Sequence, residues 1–428
     1  MTKAFLIHPY LGNEKMSATR QPHDKLRELQ GLTAAINLDV AGEATIKLQK
    51  INPSTCLGKG TVEGLKDSLD HLHVDLVIIN RPLSPIQQRN LEKEWNRKVI
   101  DRTGLILEIF GARARTREGS LQVELASLTY QRSRLVRSWT HLERQRGGYG
   151  FLGGPGESQI ELDRRLLDQR ILRIKQDLSQ VKRTRGLQRK ARDKNELPHI
   201  ALVGYTNAGK STLFNLLTGE NVFAEDLLFA TLDPTLRAFN GPHGEKWILS
   251  DTVGFISDLP TELVASFRAT LEEVCEADLI LHVHDVSNPE YKEQAKDVLK
   301  ILNSLLADQT PPILNVYNKI DLLSWEDGHY FQTLAEDRSI CISAQKGQNK
   351  QALLQKIHHL LSAKHHLLEV VFKAENSRLL AWFYEHTQVI ERKDEENNIF
   401  LHVKLDEATE NRFNKIWRVE CQHTLRVW

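Results

Sequence analysis

Hydrophobic and polar positions divide the chain into four regions that differ in periodicity. In the first, short apolar runs such as AFLIH and DLVIIN alternate with amphipathic stretches, which predicts a small domain of alternating strands and helices. A similar alternation starts at HIALVG, and the last region, with LEVVFKA and NNIFLHVKL, is typical of a small α+β domain. The predicted domains are 1–110, 111–197, 198–363 and 364–428.

The second region has a helical period. Apolar positions recur every four and three residues over 121–142 and again over 160–181, and each series is interrupted once, by Arg132 and by Arg164. Because this is the spacing of a heptad seam, we predict two long helices that pack antiparallel as a hairpin, with arms of about 40 Å.

A glycine-rich stretch, RGGYGFLGGPGE, separates the two predicted helices. It contains GxGxxG between Gly148 and Gly153, which is the pattern of a dinucleotide-binding turn. Such a turn needs a strand directly before its first glycine, whereas the helical stretch LVRSWTHLERQR precedes this one. We therefore interpret the glycines as the tip of the hairpin, where the backbone can approach another surface closely.

Composition narrows the class of protein. Hydrophobic residues make up 40% of the chain and charged residues 26%, as in soluble globular proteins, and no apolar run approaches the ~18 residues of a membrane span. Four dispersed cysteines favour a reducing compartment, and we interpret His282 and His284 as packed side chains. We expect a cytoplasmic protein without a transmembrane segment.

Charge is concentrated in the hairpin. The formal net charge of the chain is +1, yet residues 111–197 contain 20 Lys and Arg against 10 Asp and Glu, and 182–194 alone holds seven basic side chains. This segregation favours contact with a polyanion such as a nucleic acid, although a solvated helical surface would give the same pattern.

The third region contains a phosphate-binding loop. HIALVGYTNAGKSTLFNLLTG is an apolar strand, then Gly204-x-x-x-x-Gly209-Lys210-Ser211, then an amphipathic helix. Backbone N–H groups of 207–211 can surround the β-phosphate at the helix N-terminus. We expect Lys210 to bridge the β and γ oxygens and the Ser211 hydroxyl to coordinate Mg²⁺.

A second strand end supplies the DxxG pattern. Asp251-x-x-Gly254 follows the apolar run KWIL. The Asp251 carboxylate can hold the metal through water, and the Gly254 N–H can meet the γ-phosphate.

Two further strand ends identify the base. ILNVYNKID ends in Asn318-Lys319-x-Asp321, which places one carboxylate opposite the N1–H and N2–H₂ donors of guanine. The backbone of Ser343 and Ala344, after SICI, can donate to the 6-oxo group. Together the motifs predict a GTP site.

The loop FATLDPT and the residue after DxxG determine how hydrolysis proceeds. Either Thr231 or Thr235 can close over the γ-phosphate and complete the Mg²⁺ shell. Phe255 stands where many small GTPases place a water-orienting glutamine, so we expect slow intrinsic hydrolysis. The Asn207 side chain could help to hold K⁺ beside the phosphates, or it could only brace the loop.

These motifs resemble the HflX family of translation-associated GTPases. GYTNAGKSTLFN, FATLDPT and DTVGFISDLP are similar to its nucleotide site, and DRTGLILEIFGARARTREGSLQVELASLTY and GGYGFLGGPGESQIELDRR to its specific segments. The resemblance favours Thr231 over Thr235. The predicted catalytic residues are Lys210, Thr231 and Gly254, and the predicted Mg²⁺ ligands are Ser211 and Thr231. The predicted nucleotide-binding residues are Gly204, Tyr205, Thr206, Asn207, Ala208, Gly209, Lys210, Ser211, Thr212, Phe229, Ala230, Thr231, Leu232, Asp233, Asp251, Thr252, Val253, Gly254, Asn318, Lys319, Ile320, Asp321, Ser343, Ala344 and Gln345.

The resemblance also implies a fold and a function. The fold class is α/β: a P-loop GTPase domain preceded by a small α/β domain and a long helical hairpin, and followed by a small α+β domain. The implied function is Mg²⁺-dependent GTP hydrolysis, stimulated by the ribosome, in a factor that splits stalled or stressed ribosomes into subunits. Its implied partners are the large subunit and ribosomal RNA, contacted through the N-terminal domain, the hairpin and its tip, with no DNA; we expect a monomer.

Two other classes stay open. One is an RNA-binding scaffold or a regulatory GTPase, for example in ribosome assembly, that does not split ribosomes. The intact Lys210, Ser211, Asp251 and Asp321 disfavour a scaffold without hydrolysis. The other is a membrane-linked GTPase, which the lack of a lipidation motif disfavours.

Overall fold

A computed structural model describes most of the chain. The described residues are 2–12, 21–145, 155–193, 197–220, 228–229, 231–232, 235–258, 273–306, 311–324, 331, 338–362, 365–395, 397–417 and 421–427. The chain forms two compact units, one of residues 1–239 with 246–349 and one of residues 240–245 with 350–428.

The first unit begins with a four-stranded parallel sheet. Its elements are β1 (Lys3–Leu11), α1 (Pro22–Ala34), β2 (Asp39–Leu48), α2 (Lys59–His71), β3 (Leu76–Ile79), α3 (Pro85–Trp95), β4 (Lys98–Asp101) and α4 (Arg102–Arg113). The strand order is β2-β1-β3-β4, and helices supply the crossovers that parallel strands require. The Asp101 carboxylate caps α4 by accepting from the Gly104 N–H at 2.8 Å.

The predicted hairpin is confirmed by α5 (Arg117–Gln145) and α6 (Pro155–Asp193), which pack together. Ile171 and Ile174 of the α6 seam are buried. In α5 the most deeply buried apolar residues, Val123 and Ala126, lie beside the predicted seam rather than in it, because α5 also packs on α3 and α4. The glycine-rich tip lies outside the described residues.

The arginines that interrupt the hairpin seam meet acidic side chains. Arg132 Nη1 lies 2.9 Å from Asp168 Oδ1 on the other arm, and Arg164 pairs with the same carboxylate one helical turn away. Arg170 and Glu124 make a second pair between the arms, at 2.7 Å. These half-exposed pairs contribute little stability each, but they define how the two arms are aligned.

A six-stranded sheet follows in the same unit. Its elements are β5 (His199–Gly204), α7 (Lys210–Thr218), β6 (Thr235–Asn240), β7 (Lys246–Asp251), β8 (Leu279–Asp285), α8 (Tyr291–Leu306), β9 (Ile313–Asn318) and β10 (Ser339–Cys341). The strand order is β10-β9-β8-β5-β7-β6, and the five strands from β10 to β7 are parallel. The phosphate loop, DxxG, NKxD and Ser343-Ala344 follow the carboxyl ends of β5, β7, β9 and β10, which meet at one edge of the sheet, whereas FATLDPT precedes β6.

One hydrophobic core joins the two sheets of the first unit. Leu6, Ile106 and Phe110 from the N-terminal part belong to the same buried cluster as Phe229 and Phe255 beside the nucleotide motifs. The N-terminal domain therefore packs directly on the loops that form the candidate site.

The second unit has its own core. Its elements are α9 (Lys350–Ser362), β11 (His365–Lys373), α10 (Ser377–His386), β12 (Gln388–Glu395), β13 (Asn398–Asp406), α11 (Glu407–Ile416) and β14 (Cys421–Val427). The antiparallel sheet has the order β12-β13-β11-β14, which is the split βαβ arrangement, with Phe372, Phe383 and Phe413 buried against it. Among the helices in the described ranges, none is both long and apolar enough to cross a membrane.

Candidate nucleotide-binding site

The predicted phosphate loop connects β5 to α7. Gly209 stands at the N-terminus of α7 with φ of 90°, and a Cβ added there would lie 2.2 Å from Asn318 Nδ2, so only glycine fits. Because helix N-termini present backbone N–H groups and a positive dipole end, this loop can hold a phosphate. Asn207 is exposed beside it, also in the left-handed region with φ of 59°, and its role with K⁺ stays a prediction.

The Lys210 side chain folds back over this loop. Its Nζ donates to the backbone oxygens of Gly204 at 3.2 Å and of Tyr205 at 2.8 Å. Burial lowers the pKa of Lys210 to about 8, and the nearby Asp251 carboxylate offsets only part of that effect. A buried ammonium with too little negative charge around it is suited to binding a phosphate.

Two hydroxyls converge on one carboxylate next to the loop. Ser211 Oγ donates to Asp251 Oδ2 at 2.7 Å, Thr231 Oγ1 donates to the same oxygen at 2.8 Å, and the hydroxyls are 2.8 Å apart. Asp251 Oδ1 is buried and has no hydrogen-bond partner within the described ranges. Burial raises the pKa of Asp251, against the opposing effect of Lys210. The nearby positive charge does not fully offset the burial of the Asp251 carboxylate. Together with the hydroxyls of Ser211 and Thr231, this carboxylate provides the oxygen ligands that Mg²⁺ prefers.

The structure distinguishes the two candidate threonines by position. Thr231 belongs to the hydroxyl cluster, whereas Thr235 is the first residue of β6. The Phe229 and Leu232 side chains are buried in the hydrophobic core, so any contact they make with a nucleotide must come from the backbone. Ala230 and Asp233 lie outside the described residues.

The loop after β7 lies against the phosphate loop. Thr252 Oγ1 donates to Leu202 O at 2.6 Å, and the mostly buried Val253 belongs to the core. A Cβ on Gly254 would lie 2.8 Å from Thr206 Cγ2 and 3.1 Å from Lys210 Nζ, so glycine allows this loop to approach the lysine. Phe255 is buried, and its backbone bonds to Gly204 and Thr206.

Asn318 links the phosphate loop to the predicted base site. Its Nδ2 donates to Ala208 O at 2.9 Å, and its Oδ1 accepts from the Ala344 N–H at 2.9 Å. Lys319 has φ of 66°, and its Nζ lies 2.8 Å from Asp285 Oδ2 at the end of β8. The Asn318 side chain therefore connects the phosphate loop, at Ala208, to the loop after β10, at Ala344.

Asp321 is the acidic residue of the predicted base site. It lies in the short 3₁₀ turn Ile320–Leu322, with a buried side chain whose Oδ2 is 3.9 Å from Lys346 Nζ. Ser343 Oγ accepts from the Lys346 N–H at 3.1 Å, which shapes the loop that follows β10. Gln345 is exposed in that loop, and Thr212 lies half-buried in the first turn of α7.

Buried polar side chains of the N-terminal domain form hydrogen bonds with the nucleotide loops. The sequence motifs did not predict these contacts. Arg102 Nη2 donates to Glu28 Oε2 at 2.7 Å and to Ser257 O at 3.0 Å. The Tyr205 hydroxyl donates to Glu28 and accepts from the Ser257 N–H at 2.7 Å. The only sequence signal was a charged pair, Asp101-Arg102, at the start of the apolar segment DRTGLILEIF.

Two more contacts join the N-terminal domain to the nucleotide loops. Lys25 Nζ lies 2.5 Å from Asp258 Oδ2, and the Phe110 and Phe229 rings meet edge to face with centroids 4.7 Å apart. The N-terminal domain therefore touches the phosphate loop, the loop after β7 and the loop that contains Thr231.

Two histidines are buried beneath the site on β8. The rings of His282 and His284 have centroids 3.9 Å apart, and His284 Nε2 lies 3.1 Å from Asn315 Oδ1. Burial lowers the pKa of His282 well below its usual value and that of His284 to about 4, which the hydrogen bond to Asn315 partly opposes. Both rings are neutral in the folded protein at pH 7.

Stability is expected to fall in acid because of these rings. Below pH 6.5 the unfolded chain binds protons at these histidines, whereas the folded chain does not, so falling pH favours unfolding. For His284 this loss of stability extends from pH 6.5 down to about 4, its pKa in the folded protein. The loss amounts to roughly 3 kcal/mol for His284 at the full shift. Urea unfolding of H284V across this range should show a shallower fall than the natural chain. V283A, on the same strand, should lower the free energy of unfolding equally at each pH.

The fold and these contacts define a class of protein, the P-loop GTPases, and comparison with known proteins gives the family. Four family profiles match: GTP-binding GTPase N-terminal over 23–111, GTP-binding GTPase Middle Region over 113–192, 50S ribosome-binding GTPase over 199–319, and HflX C-terminal domain over 330–418. The chain belongs to the HflX family of GTPases, and it binds and hydrolyses GTP.

Two curated relatives that match over most of their length support this membership. GTPase HflX of Magnetococcus marinus is 51% identical over 387 residues, which covers 90% of this chain and 89% of its own. GTPase HflX of Escherichia coli is 40% identical over 406 residues, which covers 94% and 93%. A crystal structure of the SsGBP and GDP complex is 26% identical, covers 85% of this chain and 99% of its own, and gives a TM-score of 0.47. The predicted family and the predicted GTPase activity are confirmed.

Proposed function

We propose that this GTPase binds the large ribosomal subunit in its GTP state and separates stalled or stressed ribosomes into subunits. The observation that carries the proposal is a continuous path of contacts from the nucleotide loops to the basic hairpin. The family profile described as a 50S ribosome-binding GTPase, which matches 199–319, supports the choice of partner.

In the proposed site, each group that the loops bring together has a role. The N–H groups of 207–211 and the Lys210 ammonium hold the phosphates, and Gly254 N–H meets the γ-phosphate. Ser211 and Thr231 would hold Mg²⁺, with Asp251 behind them, and the ion would neutralise the charge that develops on the phosphate oxygens. Releasing Thr231 when phosphate leaves would free its loop.

The contacts that lead to the hairpin start at the hydrogen bonds between the N-terminal domain and the nucleotide loops. Tyr205 and Ser257 contact Glu28 and Arg102, and Arg102 directly follows Asp101 at the start of α4. The Asp101 carboxylate then accepts from the Tyr130 hydroxyl on α5 at 2.8 Å. A change in the nucleotide loops can therefore reach the root of the hairpin through packed, hydrogen-bonded groups.

The hairpin suits a structured RNA surface. Its arms of 29 and 39 residues are about 44 and 58 Å long at 1.5 Å per residue. Arg173, Lys175 and Arg183 are exposed along the longer arm, where they can contact backbone phosphates. Double-stranded RNA is recognised mainly by shape and phosphate contacts, so a basic arm needs no base-reading element.

A sedimentation experiment tests the proposal. Purified ribosomes are mixed with the full chain and GTP, GDP or a non-hydrolysable GTP analogue, separated on sucrose gradients, and followed by light scattering. We expect the GTP states to bring the protein into the large-subunit fraction and to lower scattering as ribosomes split. Binding without splitting would favour a regulatory GTPase of ribosome assembly. Binding that is equally strong with GTP and GDP and at low and high salt concentration would contradict the proposal.

Charge reversal locates the contact. R173E/K175E/R183E should weaken large-subunit binding and reduce its dependence on log salt concentration by roughly one per lost phosphate contact. The matched variant K373E/R378E/K415E reverses three exposed charges in the second unit. If both variants weaken binding equally, the hairpin is not the contact surface.

A further inference from the structure

The loop that contains Thr231 has both a polar and an apolar set of contacts. Thr231 Oγ1 lies 2.8 Å from Ser211 Oγ and 2.8 Å from Asp251 Oδ2. Phe229, two residues before Thr231, and Leu232, directly after it, are 2% and 3% exposed and belong to the core that joins the two sheets. The loop therefore reaches the proposed Mg²⁺ site with one side chain and the hydrophobic core with the neighbouring ones.

Phe229 has a backbone conformation that is unfavourable for a bulky residue. It forms a turn with Leu228, and its φ is 59°, in the left-handed region, where the side chain crowds the backbone. A residue stays in such a conformation only where the surrounding contacts hold it there. The contacts of the Phe229 ring therefore determine whether the turn that leads to Thr231 keeps its shape.

Two helices of the N-terminal domain provide contacts to this turn. The Phe110 ring of α4 is 1% exposed and meets the Phe229 ring edge to face, with centroids 4.7 Å apart and an angle of 82° between the planes. On α1, a Cβ built on Gly31 would lie 3.0 Å from Leu228 Cδ1. Glycine weakens the interior of a helix, but here it lets Leu228 approach α1 closely.

We propose that Phe110 is a positioning residue for GTP hydrolysis, which acts through Phe229 to keep the Thr231 hydroxyl in the proposed Mg²⁺ site. The inference rests on the role proposed above for Thr231. It adds to that role a side chain of the N-terminal domain, which lies outside all the nucleotide motifs. A hydroxyl that is held in place beforehand needs little reorganisation when charge develops on the phosphate oxygens.

The variant F110L tests the proposal in the full chain without ribosomes. Leucine keeps the position apolar but removes the aromatic edge that meets Phe229. Because a small misplacement of a group at the site has a large effect on rate, we expect F110L to hydrolyse GTP about 5- to 20-fold more slowly in single turnovers. Its affinity for GDP should change by less than about threefold, because Thr231 is proposed to act with the γ-phosphate present.

The matched control is F5L. Phe5 is a buried phenylalanine of the same domain, 4% exposed, but it belongs to a separate core cluster that contains none of the nucleotide loops. F5L and F110L should lower the melting temperature by similar amounts, because each loses part of a buried ring. F5L should nevertheless hydrolyse GTP at the natural rate. If F5L slows hydrolysis as much as F110L, the effect comes from lost stability and the inference is wrong.

A double variant tests whether Phe110 acts through Phe229. F229A removes the partner ring and should slow hydrolysis at least as much as F110L does. If Phe110 acts through this ring, adding F110L to F229A should slow hydrolysis no further. If the two effects multiply instead, Phe110 acts by another route and the inference fails.

Hydrogen–deuterium exchange measures the position of the loop without the reaction. In the nucleotide-free protein, the amides around Thr231 should exchange faster in F110L than in the natural chain or in F5L, because the loop has lost one of its contacts. Unchanged exchange in F110L would overturn the inference. Faster hydrolysis in F110L would also overturn it, since the contact would then restrain the loop instead of positioning it.

The variant T231A separates a failure of this inference from a failure of the proposed site. It lacks the hydroxyl altogether and should hydrolyse GTP at least about tenfold more slowly than the natural chain. If T231A hydrolyses at the natural rate, the proposed role of Thr231 is wrong. If T231A is slow while F110L hydrolyses at the natural rate, only the role of Phe110 is wrong.

Discussion

D321N is expected to weaken GTP binding by about 10²- to 10³-fold and to improve binding of XTP. The Asp321 carboxylate would accept from both N1–H and N2–H₂ of guanine, and losing two hydrogen bonds to a charged group costs roughly 3–5 kcal/mol. Asparagine offers one oxygen and one NH₂ group, which suits the 2-oxo group of xanthine. Titration with fluorescent GTP, XTP and ATP analogues measures the change.

A neighbouring carboxylate supplies the control for the base experiment. Asp285 pairs with Lys319 at 2.8 Å but belongs to the end of β8 rather than to the base motif. D285N should weaken GTP binding less than tenfold and should gain no affinity for XTP. If D321N keeps full GTP affinity, the base lies elsewhere.

R102M is expected to lower the free energy of unfolding by about 3–5 kcal/mol. The guanidinium is buried between Glu28, Asn80 and Ser257, with Nη1 2.9 Å from Asn80 Oδ1. Removing it leaves the largely buried Glu28 carboxylate without its main positive partner. Urea unfolding of R102M, E28M and the double variant at neutral pH measures the effect.

The double variant and the pH dependence identify the cause. E28M/R102M should recover part of the loss, because no buried charge is left unpaired. In the natural chain, burial acts to raise the pKa of Glu28, but the Arg102 charge and the Tyr205 hydroxyl outweigh it, so the pKa is lowered. Without Arg102, burial raises this pKa, and the deficit of R102M should shrink as the pH falls toward 4. An equal deficit at every pH would point to lost packing instead of an unpaired charge.

The residues that contact phosphates and base were predictable because each acts through local geometry. A loop between an apolar strand and a helix, with Gly209, Lys210 and Ser211 at set spacing, places N–H groups and an ammonium together whatever the rest of the chain does. The alternation of strands and helices also predicted parallel sheets, and hence that Asp251 and Asn318 would meet the phosphate loop at one edge. The contact of Asp321 with the base stays a prediction, which D321N addresses.

The hairpin was predicted only in part. Period alone indicated two long helices and their antiparallel pairing, which the structure confirms. It could not show that α5 packs on a second surface, so that Val123 and Ala126 are more deeply buried than the predicted α5 seam residues Leu121, Leu125 and Leu128. A heptad pattern shows that one face of a helix is apolar, but it does not show how many other helices pack against that helix.

By itself, the sequence determined the class of protein, the order of its elements and the motifs of its nucleotide site, since those depend on neighbours within a few residues. Only the tertiary structure decided which side chains from distant segments meet that site. Glu28 and Arg102 lie 177 and 155 positions from their partners Tyr205 and Ser257, and no local period encodes such a pairing.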